Sequence, residues 1–421
     1  MIPLLIYLGL LCMAALAIST ARRFAHASDF TSLKTVTFGD ESAVRPDRAA
    51  GILSVLTIFL LWGVFTGSSL IPSFLHAPAP FVGTTSFTYT VEADGQRDDA
   101  TVTVVVHEPD ADVPLPEVDP GDGFALNDVA SVAQWRSALL RVEKNDLIGK
   151  AEGARIVAID GQPITAGQTV KVANGSVTLS SQGTPNFVPE RGWQMEPLYL
   201  PAPEDVWQRS LQIVHDGFRN SSLSEHLGYS LFRVVAGFLL GSLVGIPLGY
   251  AMGLSNFFRG WFDPIVEFMR PVPPLALIPL VIIWAGIGES GKIILLFLAS
   301  LWIMAIAARS GASGVNISKV HAAYSLGASK WQVLRHVIIP NSLPEIFTGA
   351  RVAMGVCWGT VVAAELVAAE QGAGMMIMTA SKFQNTDIVI MGIVMIGVIG
   401  FAIDMLMRMA ERVLVPWKGK V

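Results

Sequence analysis

Long apolar runs dominate this chain, and a polar stretch of different periodicity separates them into two groups. A helix needs roughly 20 mostly apolar residues to cross about 30 Å of hydrocarbon. Seven stretches meet that need: residues 2–20, 51–70, 229–252, 266–286, 292–310, 344–368 and 388–409. The segment from about 75 to 199 does not. It is rich in Asp/Glu, Pro and Gly, and its apolar residues alternate. Phe87, Tyr89 and Val91 share one face of a predicted strand over 86–91, and Val102, Val104 and Val106 share one face of another over 100–106. Gly95 suits the turn between them, so the pair predicts a β-hairpin. Residues 155–159, 169–172 and 176–179 predict short strands, separated by Asp160-Gly161 and Asn174-Gly175 turns. Residues 110–123 form a Pro/Asp/Gly-rich linker. The expected form of this segment is an antiparallel β-sandwich.

Composition agrees with a membrane assignment. The chain is 52% hydrophobic and 15% charged, against about 25% charged in soluble domains. A net charge of -5 argues against nucleic acid as a partner. Cys12 and Cys357 lie inside apolar runs and are expected to act as small buried hydrophobes. The first run lacks the basic n-region of a signal peptide, and Arg22-Arg23 follow it instead, which predicts an uncleaved anchor. Basic residues also set the orientation. Arg22, Arg23, Lys34, Arg45 and Arg48 lie between the first two runs, and Arg259 follows the third. Arg309, Lys319, Lys330 and Arg335 follow the fifth, and Arg408, Arg412, Lys418 and Lys420 close the chain. One arrangement satisfies them all: N-terminus outside, C-terminus in the cytoplasm, the β-rich segment outside.

The strongest motif lies in the connection between the fifth and sixth runs: His321-Ala322-Ala323-Tyr324-Ser325-Leu326-Gly327-Ala328-Ser329-Lys330-Trp331, then Val337-Ile338-Ile339-Pro340. Small residues at Ala322 and Ala323 permit close approach of another surface. Gly327 suits a sharp turn between two short helices, and Pro340 is expected to end the unit. The motif resembles the "EAA" coupling loop of ABC importer permeases, which docks on the ATP-hydrolysing subunit. This chain has His321 where the family usually has Glu. The resemblance extends through Leu200-Pro201-Ala202-Pro203-Glu204-Asp205-Val206-Trp207, Arg270-Pro271-Val272-Pro273-Pro274-Leu275-Ala276 and Trp284-Ala285-Gly286-Ile287-Gly288-Glu289. Thr348-Gly349-Ala350-Arg351, Ala364-Glu365-Leu366 and Gly372-Ala373-Gly374-Met375-Met376 are similar to the branch that handles taurine, alkanesulfonates and nitrate.

The resemblance implies an all-α polytopic membrane protein of about seven helices with the type I ABC importer permease fold, carrying an inserted periplasmic β-sandwich-like domain. Residues 1–74 supply two helices and a cytoplasmic linker, 75–199 the insert, and 200–421 the permease core with five helices and the coupling loop 319–340. It implies a non-catalytic subunit of the bacterial inner membrane, working as a homodimer. Two ATPase subunits would bind the ATP and Mg, and a periplasmic binding protein would deliver a small organic anion, taurine or another sulfonate, with nitrate as the alternative. Coupling would fall to His321, Ala322, Ala323, Leu326, Gly327, Ala328, Trp331 and Pro340. Two rival classes fit less well: a membrane-anchored adhesion module, for which seven runs and such a loop are excessive, and a secondary transporter, for which inverted repeats are lacking.

Gly286 to Lys292 matches part of a phosphate-binding loop, but Ile293 replaces the Ser/Thr and no strand precedes it, so no ATP site is expected in this chain and no metal site either. Ionisable residues inside apolar runs mark wet paths or interhelical bonds. Glu365 is therefore expected at a path or gate, Arg351 either passing an anion or snorkelling, and Asp404 in an i,i+4 pair with Arg408. Gly237, Gly241, Gly245 and Gly249 repeat every four residues and predict a close helix–helix seam.

Overall fold

The computed structural model describes residues 48–417 except 110 and 112, together with 9, 12, 13 and 16. The predicted run 2–20 lies almost wholly outside the described residues, as do Arg22, Arg23, Lys34, Arg45, Lys418 and Lys420. Two compact units divide the chain, Met1–Glu204 and Asp205–Val421.

In the first unit, helix α1 (Arg48–Thr66) is apolar along nearly its whole length. The apolar run was expected to reach 70, but the helix stops at Gly67, whose φ of +66° is cheap only without a Cβ. Nine strands follow: β1 (Gly83–Ala93), β2 (Gln96–His107), β3 (Asp128–Ala133), β4 (Ala138–Leu139), β5 (Arg155–Ile159), β6 (Gln162–Pro163), β7 (Thr169–Val172), β8 (Gly175–Leu179) and β9 (Pro185–Pro189). They form two sheets, β3-β2-β1-β5-β6 and β4-β9-β8-β7. The predicted hairpin is β1–β2, closed by Asp94 at φ 50° and Gly95 at φ 80°, and Asp160-Gly161 closes β5–β6 in the same way. Such mirror-image turns match the right-handed twist of the flanking strands. The third turn sits one residue earlier than expected, at Ala173-Asn174, with Asn174 taking the positive φ.

The expectation of a purely antiparallel domain is corrected: β3 pairs parallel to β2. A parallel neighbour needs a long crossover, and the Pro/Asp/Gly-rich linker supplies one. Alternation then does what it predicts. Phe87, Tyr89, Val91, Val102 and Val104 from one sheet meet Val170, Val177, Leu179 and Phe187 from the other in a single core, where the Phe87 and Phe187 rings stack at 6.1 Å.

A polar knot sits beside that core. The Tyr89 hydroxyl lies 2.9 Å from the Leu126 carbonyl, 3.1 Å from Asp128 Oδ2 and 3.3 Å from Asp146 Oδ1, three acceptors for one hydrogen. Burial pushes the Asp128 carboxyl up to about 6; the Tyr89 bond opposes this and the Asp146 charge adds to it. Asp146 is raised by burial in the same direction. A carboxyl whose pKa is raised by folding binds its proton more tightly in the folded state, so stability falls as pH rises from about 4 through about 6. Limited proteolysis of the β-rich segment in membranes is therefore expected to be slower at pH 4.5 than at pH 7.5, and Asp128→Asn should flatten that difference. An equal slope in the variant would place the titration elsewhere.

The second unit is helical: α2 (Pro203–Asp216), α3 (Leu223–Leu254), α4 (Asn256–Met269), α5 (Ile278–Ala285), α6 (Glu289–Ser313), α7 (Ile317–Ser325), α8 (Lys330–Val333), α9 (Ile339–Ala368), α10 (Ala373–Lys382) and α11 (Thr386–Leu414). Among the described residues four helices are long and apolar enough to cross a membrane: α3, α6, the helix Lys330–Val367 that joins α8 to α9, and α11. The stretch 266–286, expected as one span, is instead α4 and α5 with the Pro274–Leu277 turn between them, bent by 92°. Pro271, Pro273 and Pro274 explain the bend, because proline lacks the N–H a helix needs and disfavours helical backbone before it. Counting that pair as one span brings the described total to five.

Pro340 also departs from expectation. It does not end the unit: the helix runs from Lys330 to Val367 past it, through a π-helical turn at Leu334–Ile338. Pro340 has no N–H, so an α-helix there would leave the His336 carbonyl without its i+4 donor; the i→i+5 register of the π turn pairs carbonyls one residue further on.

The glycine seam is present. α3 lies along α6, and a Cβ placed on Gly241 would come 2.7 Å from the Phe297 carbonyl oxygen, one on Gly245 2.7 Å from that of Leu301. The buried Ser300 hydroxyl bonds the Gly237 carbonyl across the seam at 3.2 Å.

Candidate functional site

Where α3 and α6 begin and α9 finishes, Arg233, Lys292 and Glu365 are buried together, with Glu289 at the rim, its side chain 47% exposed. Ser222 and Glu225 cap α3 reciprocally, which orients the first turns so that His226, Ser230 and Arg233 project inward, all at most 1% exposed. The Glu365 carboxylate accepts from Ser230 Oγ at 2.8 and 3.0 Å, from Arg233 Nη1 at 2.6 Å and from the Gly374 amide at 3.0 Å. Arg233 turns its other edge to Glu289, with contacts of 2.5 and 2.6 Å, and reaches the Gln371 carbonyl at 2.8 Å. Lys292 completes the set, donating to Glu289 at 2.9 Å. The buried Glu365 carboxylate thus faces the buried Arg233, whose charge, with that of Lys292, is further balanced by the half-exposed Glu289; pairing is the condition under which charges tolerate burial.

The loop between α9 and α10 is held by the same group. The Gly372 amide donates to His226 Nδ1 at 3.2 Å, so the ring carries its proton on Nε2 and gives it to the Phe218 carbonyl at 3.0 Å. Gly372 has φ +137°, and a Cβ there would fall 2.6 Å from Glu365 Oε1. Only glycine lets the backbone pass the carboxylate so closely.

Where α9 packs on α11, Arg351 lies 3.3 Å from Asp404 and 3.8 Å from Glu411, and Arg408 holds Asp404 at 2.7 Å. The expected Asp404–Arg408 pair is therefore present. Arg351, Arg408, Glu411 and Arg412 line a cleft of about 340 Å³, which carries three guanidinium groups against one carboxylate. Glu365 and Arg351 are not brought together; fourteen residues of one helix separate them, roughly 21 Å at 1.5 Å per residue.

The third feature is the α7–α8 hairpin. Gly327 turns it with φ +83°, and no atom lies within 4 Å of where its Cβ would stand. The Ser329 hydroxyl and the Gln332 side chain cap α8 reciprocally. His321 and Ala322 are exposed, Ala323 and Ala328 partly so, and Leu326 and Trp331 are 89% and 65% exposed. Apolar side chains this open on a rigidly capped hairpin have no partner within the chain's own core.

Sequence reasoning singled out Glu365 but not Arg233, Glu289 or Lys292. Arg233 carried the same signal, an ionisable residue inside an apolar run. Glu289 and Lys292 sit at the edge of a run, where charge is ordinary. No group of three or more His, Cys, Asp or Glu among the described residues is placed to hold a metal.

Residues 238–415 match the family described as binding-protein-dependent transport system inner membrane component. The taurine transport system permease protein TauC of Escherichia coli is 47% identical over 228 residues, 54% of this chain and 83% of that protein. A putative aliphatic sulfonates transport permease, SsuC of Bacillus subtilis, is 34% identical over 52% of this chain and 78% of its own length. The nitrate import permease NrtB of Synechocystis is 30% identical over 52% of this chain and 82% of its own.

Proposed function

Since the chain belongs to the binding-protein-dependent inner-membrane permeases of ABC importers, we propose that its cargo is taurine or another small sulfonate, with nitrate as the lesser option. The permease subunit is a multi-pass inner-membrane protein and not itself an enzyme; an ATPase and a substrate-binding protein are its partners. The observation that carries the substrate class is the 47% identity to a taurine permease across most of that protein's length.

In this reading two copies pair, two ATPase subunits holding ATP and Mg dock on the α7–α8 hairpins, and a periplasmic binding protein delivers the anion. The N-terminus lies in the periplasm and the C-terminus in the cytoplasm. His321, Ala322, Ala323, Leu326, Gly327, Ala328 and Trp331 form the docking surface, and Pro340 stands behind it. What supports this is the exposure of Leu326 and Trp331 on a capped turn. Glu365 stands on the translocation path as a gate, and Arg351 helps pass the anion. ATP drives the switch only through its different contacts with the inward-open and outward-open states. The β-rich segment guides the binding protein; deletion of residues 75–199 should weaken binding-protein affinity and uptake, and an unchanged affinity would sink that role.

The test is uptake of labelled taurine, an alkanesulfonate and nitrate by the complete importer in vesicles. Preference for nitrate would reverse the assignment, and transport of none of the three would end it. Gly327→Val tests the docking hairpin. A β-branched residue at φ +83° is strained by about 1–3 kcal/mol, and its Cβ would have no atom within 4 Å, so the permease should fold while the ATPase is lost or hydrolyses ATP without uptake. Wild-type coupling in that variant would move the contact elsewhere.

A further inference from the structure

The break between α4 and α5 lies against the middle of the helical unit. Residues 269–274 and Leu277 border a cavity of about 200 Å³ whose opposite walls include Leu298, Trp302 and Ile303 of α6 and Val356 of α9. α6 runs Glu289–Ser313 and α9 runs Ile339–Ala368, so those walls fall near the midpoints of two long spans and the cavity lies at mid-membrane depth. Arg270 stands at the break and lines this cavity.

Its surroundings set it apart from the other arginines of the spans. Arg233 is 1% exposed and clamped between Glu365 and Glu289, and Arg351 lies between Asp404 and Glu411. The Arg270 side chain is 66% exposed; its nearest carboxylate, Glu267, stands 3.8 Å away and is held more closely, at 2.9 Å, by Arg309. Arg309 also pairs with Asp263. The two acids of α4 are thus committed to α6, and the Arg270 fork is left largely open. A guanidinium at that depth is costly against lipid, so it faces a wet path. A planar fork of donors also matches the oxygens of an oxyanion by parallel charge-assisted hydrogen bonds.

We propose that Arg270 is the transit site for the anion: its guanidinium receives the sulfonate oxygens at the broken span while the apolar wall of Leu298, Trp302, Ile303 and Val356 accepts the short carbon skeleton. The inference rests on the anion-importer reading and adds to it a residue that contacts cargo within the membrane. The prolines make the site possible, since they hold the chain bent and keep Arg270 from being drawn into a continuous helix.

The experiment uses the complete importer, permease with its ATPase and binding protein, in liposomes, reading taurine uptake and ATP hydrolysis together. Arg270→Gln is expected to lower uptake at least tenfold while binding-protein-stimulated ATP hydrolysis persists, and Arg270→Lys to recover part of the uptake. In a Cys12→Ser, Cys357→Ala background, Arg270→Cys should react with a membrane-impermeant anionic thiol reagent in membranes, a measurement that needs no purified complex, and taurine during turnover should slow that reaction. R270Q importing at the wild-type rate, or an R270C thiol that the reagent does not reach, overturns the proposal. A wild-type complex that hydrolyses ATP but moves no anion overturns the importer reading beneath it, and R270Q is not needed to see that result.

Discussion

Replacing Gly241 with leucine is expected to prevent the helical unit from assembling in its native form. The Cβ alone would press on the Phe297 carbonyl oxygen at 2.7 Å and on the Leu301 amide at 3.0 Å. Backbone atoms cannot rotate away as a side chain does, so the isobutyl group must push α3 off α6. Gly237, Gly245 and Gly249 meet α6 just as closely, and the whole seam parts together. Overpacking a well-packed core costs about 1–3 kcal/mol when side chains can yield, and more is expected here because they cannot. In the bilayer, close packing is itself a main source of helix association. The check is yield and melting of the purified protein, with Gly228→Ala as control, since no atom lies within 4 Å of that position. A G241L protein melting with the wild type would show that the two helices are not held by this seam.

Arg233→Ala should be nearly as damaging. It leaves Glu365 with no cation, on a side chain that is 0% exposed. Removing one member of a buried ion pair costs about 3–5 kcal/mol, because the remaining charge stays desolvated. Glu365→Gln should cost less, about 1–3 kcal/mol, because an amide oxygen still accepts from Ser230 and the Gly374 amide while Arg233 keeps Glu289. Thermal unfolding of R233A, E365Q and the double variant measures the coupling. If the two effects simply add, the residues do not act as one network; a loss below 1 kcal/mol in R233A would remove the network from the account of stability.

Several elements could be read without a fold in hand because their causes are local. Two-residue alternation through Phe87, Tyr89 and Val91, with a turn at Gly95, sets a hairpin from neighbours alone. The Asp404–Arg408 pair is written in an i,i+4 spacing. The four-residue glycine repeat predicts a seam, since small side chains on one helix face have no other common use. It does not name the partner, and only the structure shows that α6 fills that place.

What the chain by itself determined is where apolar runs and alternating strands lie, which residues turn, and which ionisable groups stand in apolar surroundings, because each depends on residues a few positions apart. The tertiary structure alone decided the partners. Glu365 meets an arginine 132 positions away, β3 joins β2 in parallel across a long linker, and three prolines bend a run that hydropathy had counted as one span. Hydropathy averages over a window and does not register the missing N–H groups that break a helix. Nor does it register charges that meet only after the helices pack, so the use of Arg233 and the openness of Arg270 became visible only in three dimensions.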